Sequence, residues 1–592
     1  MEKYQQSLNM ITEEIKQLEE KYSTYGTIRF IMFLVAASGL IVGFYDSNLL
    51  FLAAGILGTA VFVVLVFVHG RLSEKLEYIK ARSVVYERYI KRYGETWKQF
   101  EEDGSSYLTD EDLVARDMDL LGRDSLYQFI CVAGTEDGRR RLAVSLKSPE
   151  FTIDEINKRQ QAVMELYEKE EFSLDFETLG VKANTGRKKK VTADEFVNYC
   201  KSDDEIPVVF NVLRFLFPIV TVCLFILGIM GKINLAYSLI SFFVVLLFSW
   251  ITSGVVGKAV MPMISFGYVI EDYINMFELI SKEEFDSPLM NDIKDIMSKD
   301  SGALSAIKKL KTISAAFNIR YNPIVHQVLC GLTMWDFHLG IMMDRWKRAY
   351  GSNVENWISA IANVEELLSY AVLARTRDVS LPKVGVNKRV HVKCNHMRHP
   401  LIAPDKVVAN DADFYGGATV ITGSNMSGKT TFLRTLGINL VLAYVGAPVC
   451  AENMKADYMK IFTSMRVTDD VSNGISTFYA EILRIKTMVE YKKQAKPMLC
   501  LIDEIFKGTN SADRIVGASQ VIRKLSDDNS MTLVSTHDFE LCDLKDNTGH
   551  AAANYHFEEY YEGDQLKFDY KKKKGRCTTT NAMAILHMAG LD

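Results

Sequence analysis

The stretch from Thr419 to Thr431, Thr-Val-Ile-Thr-Gly-Ser-Asn-Met-Ser-Gly-Lys-Thr-Thr, leaves the chain around it few choices of fold. Thr419 to Thr422 are all β-branched and read as a strand, Gly423 and Gly428 bound a loop, and a helix must begin near Lys429. Strand, loop and helix in that order frame the pattern G-x-x-x-x-G-K-[ST], in which loop N–H groups and a helix N-terminus surround a phosphate. On this reading Gly423, Ser424, Asn425, Met426, Ser427, Gly428, Lys429, Thr430 and Thr431 bind a nucleotide. Lys429 adds a point charge for the phosphates, and the Thr430 hydroxyl is a ligand for Mg2+.

Asn425-Met426 inside the loop narrows the choice, and four further segments follow the same order. Arg398-His399-Pro400-Leu401 stands upstream. Asp469-Asp470…Gly474-Ile-Ser476-Thr477-Phe478…Glu481, Leu499-Cys-Leu-Ile-Asp503-Glu504…Gly508-Thr509 and Ser535-Thr536-His537 stand downstream. Together these resemble the MutS family, the ATPases of DNA mismatch repair, over residues 398–541. The resemblance implies an α/β P-loop ATPase domain of the ABC/MutS type that uses ATP and Mg2+. It implies that Asp503 joins Thr430 at the metal, that Glu504 orients the attacking water, and that His537 senses the γ-phosphate beside Lys429. It also implies a homodimer through the ATPase domains, because the family's serine at the position of Ser476 reaches the nucleotide held by the other subunit. The alternative for Ser476 is an ordinary helix cap, with Glu481 in the next turn.

Two pairs of apolar runs are the other strong constraint. Phe30–Phe44 and Leu49–Val68 carry no charge, and Phe215–Met230 and Leu235–Val256 form a second pair around Gly231-Lys-Ile-Asn234. A bilayer core asks for about 17–25 apolar residues per helix. Lys3, Lys16, Lys21 and Arg29 precede the first pair and Arg71, Lys75, Lys80 and Arg82 follow it, while Arg214 and Lys258 flank the second. The positive-inside rule then predicts a multi-pass membrane protein of four spans, a lipid bilayer as partner, and both termini and the ATPase domain in the cytoplasm. Nothing at the N-terminus resembles a cleavable signal.

Between the spans the pattern is helical. Leu8, Ile11, Ile15 and Leu18 predict an amphipathic N-terminal helix or coiled-coil arm, and Thr152-Ile-Asp-Glu155 a capping box. Trp335, Phe337, Ile341, Met342 and Trp346 predict a core stripe, and Trp357 to Ala371 looks like the family's long helix leading into the ATPase. Segments from Met118 to Val163 are similar to the opening of the family's helical core, whereas nothing resembles its mismatch-reading and connector domains. The expected organisation is an N-terminal helix at 1–27, a membrane hairpin at 28–69, a helical region at 70–206, and a second hairpin at 207–257. A helical core and lever at 258–385 and the ATPase domain at 386–592 complete it.

DNA is a candidate partner on the resemblance alone, since a net charge of −5 gives no general attraction to nucleic acid. Arg139-Arg140-Arg141 is the stripe to test for phosphate contact, with a solvated or partner-facing stripe as the alternative; Phe100-Glu-Glu102 reads as a solvated face. Arg187 to Lys190 fall in a loop, Gly180 to Lys190, whose lysines could meet anionic lipid or nucleic acid, with proximity to the next apolar run favouring lipid. Nine scattered cysteines without a Cys-x-x-Cys pair read as reduced thiols, and Cys394-Asn-His396 with His399 lacks the second ligand cluster of a metal site. The function expected is a membrane-anchored ATPase acting on DNA, with an ATP-driven membrane switch that does not bind DNA as the alternative.

Overall fold

The computed structural model describes residues 1–592 apart from 47, 185–192, 204, 299–302, 322, 425, 467–476, 508–509, 563–564 and 578–592. The chain opens with two very long helices, Glu2–Tyr45 and Leu49–Tyr93, folded back on one another around Asn48, whose side chain accepts from the Leu50 N–H at 3.0 Å. The expected N-terminal amphipathic helix is therefore not a separate element: no proline stands between Leu18 and Phe30, and the single Gly26 is accommodated within the helix. Its apolar stripe packs on the returning helix, with Leu18 against Leu76 and Ile79, and Glu14–Lys75 and Glu19–Lys80 pair across the groove at 3.0 and 2.6 Å.

Farther along the hairpin, small residues bring the two backbones together. A Cβ on Gly39 would stand 2.8 Å from the Gly55 nitrogen, one on Gly43 2.6 Å from that of Leu52, and Gly58 faces Ala36. Such approach is how helices pack where apolar burial gives no driving force.

By length and composition Glu2–Tyr45, Leu49–Tyr93, Val209–Ile229 and a stretch over Trp335–Thr376 are apolar enough to cross a membrane. In the first three only 17, 11 and 11% of the apolar window is buried, against 83% in the fourth, which is thereby a core element. Ala236–Ile251 is a shorter apolar helix, cut at Thr252, and Ser253–Val256 belong to the next helix, Ser253–Lys282.

A helical body follows. Val354–Thr376 is its axis and is buried along nearly its whole length. Helices Glu136–Lys147 and Ile153–Glu168 pack on it, and the second starts with the expected capping box of Thr152 and Glu155. Gly134 and Gly180 pass so closely that a Cβ on Gly134 would lie 2.2 Å from the Gly180 Cα. Of the expected stripe, Phe337, Ile341 and Trp346 are buried, Trp335 is half-buried and Met342 is exposed. Gly180 to Asn184 finish the helix Glu170–Asn184 instead of opening a loop, and Arg187 to Lys190 lie outside the described residues.

Two buried carboxylates on the axis gather the arginines. Glu366 takes Arg141 at 2.9 Å and also Arg159, whose Nε donates to the Val445 carbonyl at 2.6 Å. Arg139 is buried and donates to the Ala133 carbonyl at 3.1 Å, and Arg140 pairs with Asp137 at 2.6 Å. Arg139 is thus consumed internally and Arg141 is tied to another helix by a partner that no local pattern reveals, while Arg140 stays exposed beside Asp137 of its own helix, so the run is not one continuous phosphate-facing stripe. Phe100 is likewise no solvated residue but half-buried under Arg92, 5.2 Å from ring centre to guanidinium. Glu365 accepts from the Gly134 and Thr135 N–H groups at 2.8 and 3.0 Å, and burial pushes its carboxyl up to about 6.

The C-terminal part is α/β. Its strands are β1 (Lys383–Gly385), β2 (His391–Met397), β3 (Asn410–Tyr415), β4 (Gly417–Thr422), β5 (Asn453–Asp457), β6 (Lys460–Ser464), β7 (Met498–Asp503), β8 (Ser530–Thr536), β9 (Ala553–His556), β10 (Glu559–Glu562), β11 (Gln565–Phe568) and β12 (Lys573–Lys574). The main sheet has the order β12-β9-β4-β8-β7-β6, parallel from β9 to β6 with β12 antiparallel at the edge. A smaller sheet, β1-β5-β2-β3, and the hairpin β10-β11 accompany it. β4 is buried at every position, as a central parallel strand requires.

Removing one partner of a buried ion pair leaves the other charge desolvated and costs about 3–5 kcal/mol. Glu366→Ala is therefore expected to destabilise the body by that amount and to lower the melting temperature of the purified chain. An unchanged melting curve would show that Arg159 and Arg141 do not depend on this carboxylate.

Candidate functional site

The strand-to-helix turn after β4 is built by glycines for a reason the geometry makes explicit. Gly423 has φ 142° and Gly428 φ 107°, and a Cβ on Gly423 would stand 2.3 Å from the Phe557 carbonyl oxygen. Both positions favour glycine. Met426, also left-handed at φ 68°, points outward and is 85% exposed. Ser424 donates to Glu559 at 2.6 Å, Thr431 is exposed, and Asn425 lies outside the described residues.

Helix Lys429–Tyr444 starts directly on the loop, with Gly428 as its cap. The Lys429 side chain is buried and turns back into the loop, donating to the Gly423 and Ser424 carbonyls at 2.7 and 2.8 Å. Burial lowers its pKa, against the pull of Asp503 and Glu504. Next to it the Thr430 hydroxyl donates to Asp503 Oδ2 at 2.7 Å. Asp503 ends β7 opposite Ser535 on β8, and the Ser535 hydroxyl donates to its other oxygen. Both carboxylate oxygens are thus oriented by hydroxyls from two different elements.

Glu504 follows in the left-handed region at φ 52°, its N–H donating to the Ser535 carbonyl at 3.0 Å. One carboxylate oxygen lies 3.2 Å from His537 Nε2 and the other 2.6 Å from Lys507 Nζ. Burial works to raise its pKa, but Lys507 and then His537 outweigh it and hold the carboxyl below its ordinary value. Glu504 is therefore ionised at neutral pH.

The expected residues Lys429, Thr430, Asp503, Glu504 and His537 come together here. Ser476 lies outside the described residues, as do Asp469, Asp470, Gly474, Gly508 and Thr509. Glu481 is described, and it is not a cap: its buried carboxylate accepts from the Phe506 N–H at 2.9 Å, and burial raises its pKa. The Phe478 and Phe506 rings meet at 5.6 Å, so the helix Thr477–Lys492 is fastened to the loop that carries Glu504.

A cavity of about 430 Å3 opens over this loop, lined by Ser424, Ser427, Lys429, Thr430 and Glu504 on one side and His399, Asn410, Phe557 and Tyr570 on the other. The Ser427 hydroxyl is buried there without a hydrogen-bond partner. A glycine-bounded loop, a buried ammonium, an unused hydroxyl and an oriented carboxylate beside a threonine fit a nucleoside triphosphate with Mg2+. Burial of the His399 ring, and then the Arg434 charge, bring its pKa down to about 4, so His399 is a neutral wall of this cavity.

Several members escaped the sequence reading. Ser535 stood inside a quoted motif but without a role. Lys507 is three residues from Glu504 and could have been found by that spacing. Glu559 arrives from β10, and Phe557 and Tyr570 from the turns between the last strands, which carry no motif. Asp117 and Asp119 come from the helical body. Asp117 accepts from the Met465 and Arg466 N–H groups at 3.0 and 3.1 Å and from Arg484 at 2.9 Å, and Asp119 takes Arg434, one turn past Thr430, at 3.1 Å.

Residues 419–592 match the family model described as MutS domain V. Over 250 residues the chain is 29% identical to the DNA mismatch repair protein MutS of Caldicellulosiruptor saccharolyticus, 40% of this chain and 28% of that protein. The MutS of Shouchella clausii is 30% identical over 251 residues, 41% of this chain and 28% of the relative. That of Natronomonas pharaonis is 28% identical over 244 residues, 40% and 28% respectively. The chain thus spans little more than a quarter of the length of these relatives. With the α/β domain, its phosphate-type loop and the all-helical region before it, the C-terminal part of the chain is similar to MutS domain V and to these MutS proteins.

Proposed function

We propose that this chain is a Mg2+-dependent ATPase, anchored in a membrane by two helical hairpins, that works as a homodimer joined through its nucleotide sites. The observation that carries the reading is the Thr430 hydroxyl 2.7 Å from Asp503, with Glu504 next in the chain and held ionised. When bound, ATP with its Mg2+ supplies the scissile phosphoanhydride and a polarised γ-phosphoryl group. Lys429 and the loop N–H groups of 423–431 hold the phosphates. Thr430 and Asp503 hold the metal, and Ser535 keeps the aspartate turned toward it. Glu504 accepts the proton of the attacking water, and His537 fixes the direction of that carboxylate. Ser476 completes the site of a second copy.

The membrane reading is supported by the exposure of the apolar helices, by the glycine packing of the first hairpin, and by basic residues flanking both hairpins. In this reading the two hairpins, near 28–69 and 207–257, give four spans with both termini and the ATPase domain, near 386–592, on the cytoplasmic side. The output is a shift of the helical body and its hairpins between two arrangements as the ATPase domains close and part. Action on DNA is the second reading. The relatives' name favours it, while burial of Arg139 and the pairing of Arg141 with Glu366 leave Arg140 as the exposed member of the run that would have met phosphates.

Loss of a general base typically costs 10²–10⁴-fold. Glu504→Gln is expected to keep nucleotide binding and lose about that much turnover, whereas Lys429→Ala loses nucleotide-driven dimerisation; radiolabelled ATP hydrolysis and light scattering read the two. Because Glu504 lies below its ordinary pKa of about 4.3, kcat should not fall between neutrality and about pH 5. Lys507→Ala should move the acid limb upward, since it removes the first of the two charges that oppose burial; a pH profile unmoved by that change assigns the limb to another group. Binding to duplex DNA, if real, weakens steeply with salt. The switch reading expects no such binding at low salt, and a steep salt-dependent isotherm would replace it by the DNA reading.

A further inference from the structure

Beside the second hairpin, far from the phosphate-type loop in the sequence, three donor atoms converge that the ATPase reading does not use. We propose that His326, Cys330 and Asp336 bind a single borderline transition-metal dication of the Zn2+ or Co2+ class. His326 and Cys330 are one turn apart on the helix Pro323–Thr333 and so share a face. Met334, buried and left-handed at φ 51°, turns the chain, and Asp336 enters from the first turn of Trp335–Tyr350. His326 Nε2 is 2.9 Å from Asp336 Oδ1 and 3.3 Å from Cys330 Sγ, and all three donor atoms lie within 4.8 Å of one another. Among the described residues this is the one His/Cys/carboxylate group so close, and the Cys394-His396-His399 set is not another.

Bonds of about 2.0–2.3 Å at tetrahedral angles would place neighbouring donors about 3.3–3.6 Å apart. The His326–Cys330 pair is close to that spacing, the His326–Asp336 pair meets it after opening by a few tenths of an ångström, and Cys330 and Asp336 lie within 4.8 Å of one another. An imidazole, a thiolate and one carboxylate oxygen suit Zn2+ or Co2+, whereas Mg2+ and Ca2+ ask for oxygen alone. Arg320 donates to Asp336 Oδ2, the outer oxygen, at 2.9 Å, which is the place of a partner that orients a ligating carboxylate. Its Nε also reaches His326 Nε2 at 3.3 Å, and this contact is the one a metal displaces.

The helix Pro323–Thr333 packs on both helices of the second hairpin, and a Cβ on Gly331 would run into the Phe242 ring. Ionisable groups against an apolar hairpin are expensive unless compensated, and a dication with a thiolate and a carboxylate is neutral. Bound there, the ion fastens Pro323–Thr333 to Trp335–Tyr350, the helix that precedes the axis of the body.

The test uses the full-length chain, chelator-treated and free of nucleotide, so that its outcome is independent of the ATPase reading. Titration with Co2+ is expected to give one equivalent with thiolate-to-cobalt absorption in the near ultraviolet, reversed by Zn2+. The bound metal is expected to protect the Cys330 peptide from alkylation, read by mass spectrometry. Cys330→Ser should lose the absorption, and His326→Ala should weaken binding about tenfold or more. Absence of the absorption or of protection in the unsubstituted chain, or its persistence in Cys330→Ser, overturns the site and leaves an Arg–His–Asp ion-pair network. Since the unsubstituted chain alone can decide, poor folding of a variant does not shield the proposal.

Discussion

The arrangement of the C-terminal domain turns on one carboxylate. Asp503 is reached from one side by the Thr430 hydroxyl, at the mouth of the phosphate-type loop, and from the other by Ser535, on the neighbouring strand. Only a parallel sheet with β4, β8 and β7 adjacent in that order brings a helix start, a strand end and a second strand end to one point. Ligand sites at the carboxyl ends of parallel strands follow from this topology. The left-handed backbone of Glu504 is a local cost set against that arrangement, and its N–H bond to the Ser535 carbonyl fixes it there.

From that point, contacts lead outward in two directions. Glu481 and Phe478 tie the Glu504 loop to the helix Thr477–Lys492, and Arg484 on the same helix reaches Asp117 of the helical body. On the opposite side Arg434 reaches Asp119 from the phosphate-type helix. Two aspartates two residues apart therefore hold both sides of the site, and a displacement of either side is felt by the same short segment. Deeper in the body, Arg159 bridges the carbonyl that ends the phosphate-type helix and the buried Glu366 of the axis.

What could be read from the sequence was whatever a short window contains. The Thr419–Thr431 strand, loop and helix, the β7 strand ending in Asp503, the Thr152 capping box and the first apolar hairpin are local patterns, and each took the expected local form. What failed needed a partner from far away. Arg141 belongs to a basic run in any window, yet its partner Glu366 lies more than two hundred residues on. Phe100 is a different case: Arg92 is only eight residues back, but the chain has to turn after Gly94 before the guanidinium covers the ring. Glu559, Phe557 and Tyr570 reach the loop from strands of four residues or fewer and the turns between them, whose sequence has no signature. The break at Thr252 shows the opposite error, an apolar run read as one span although it serves two helices.

The helix Leu49–Tyr93 has one further implication. It is unbroken for 45 residues, about 68 Å at 1.5 Å per residue, and its last turns are bolted into the body by Tyr89 on Glu177 and Arg92 on the Phe129 carbonyl. The far end is clasped to its neighbour by interlocking glycines, so the pair can neither slide nor splay without losing those approaches. Such an object transmits torque as a crankshaft does: a few degrees of tilt at the buried end become a sweep of several ångströms at the tip.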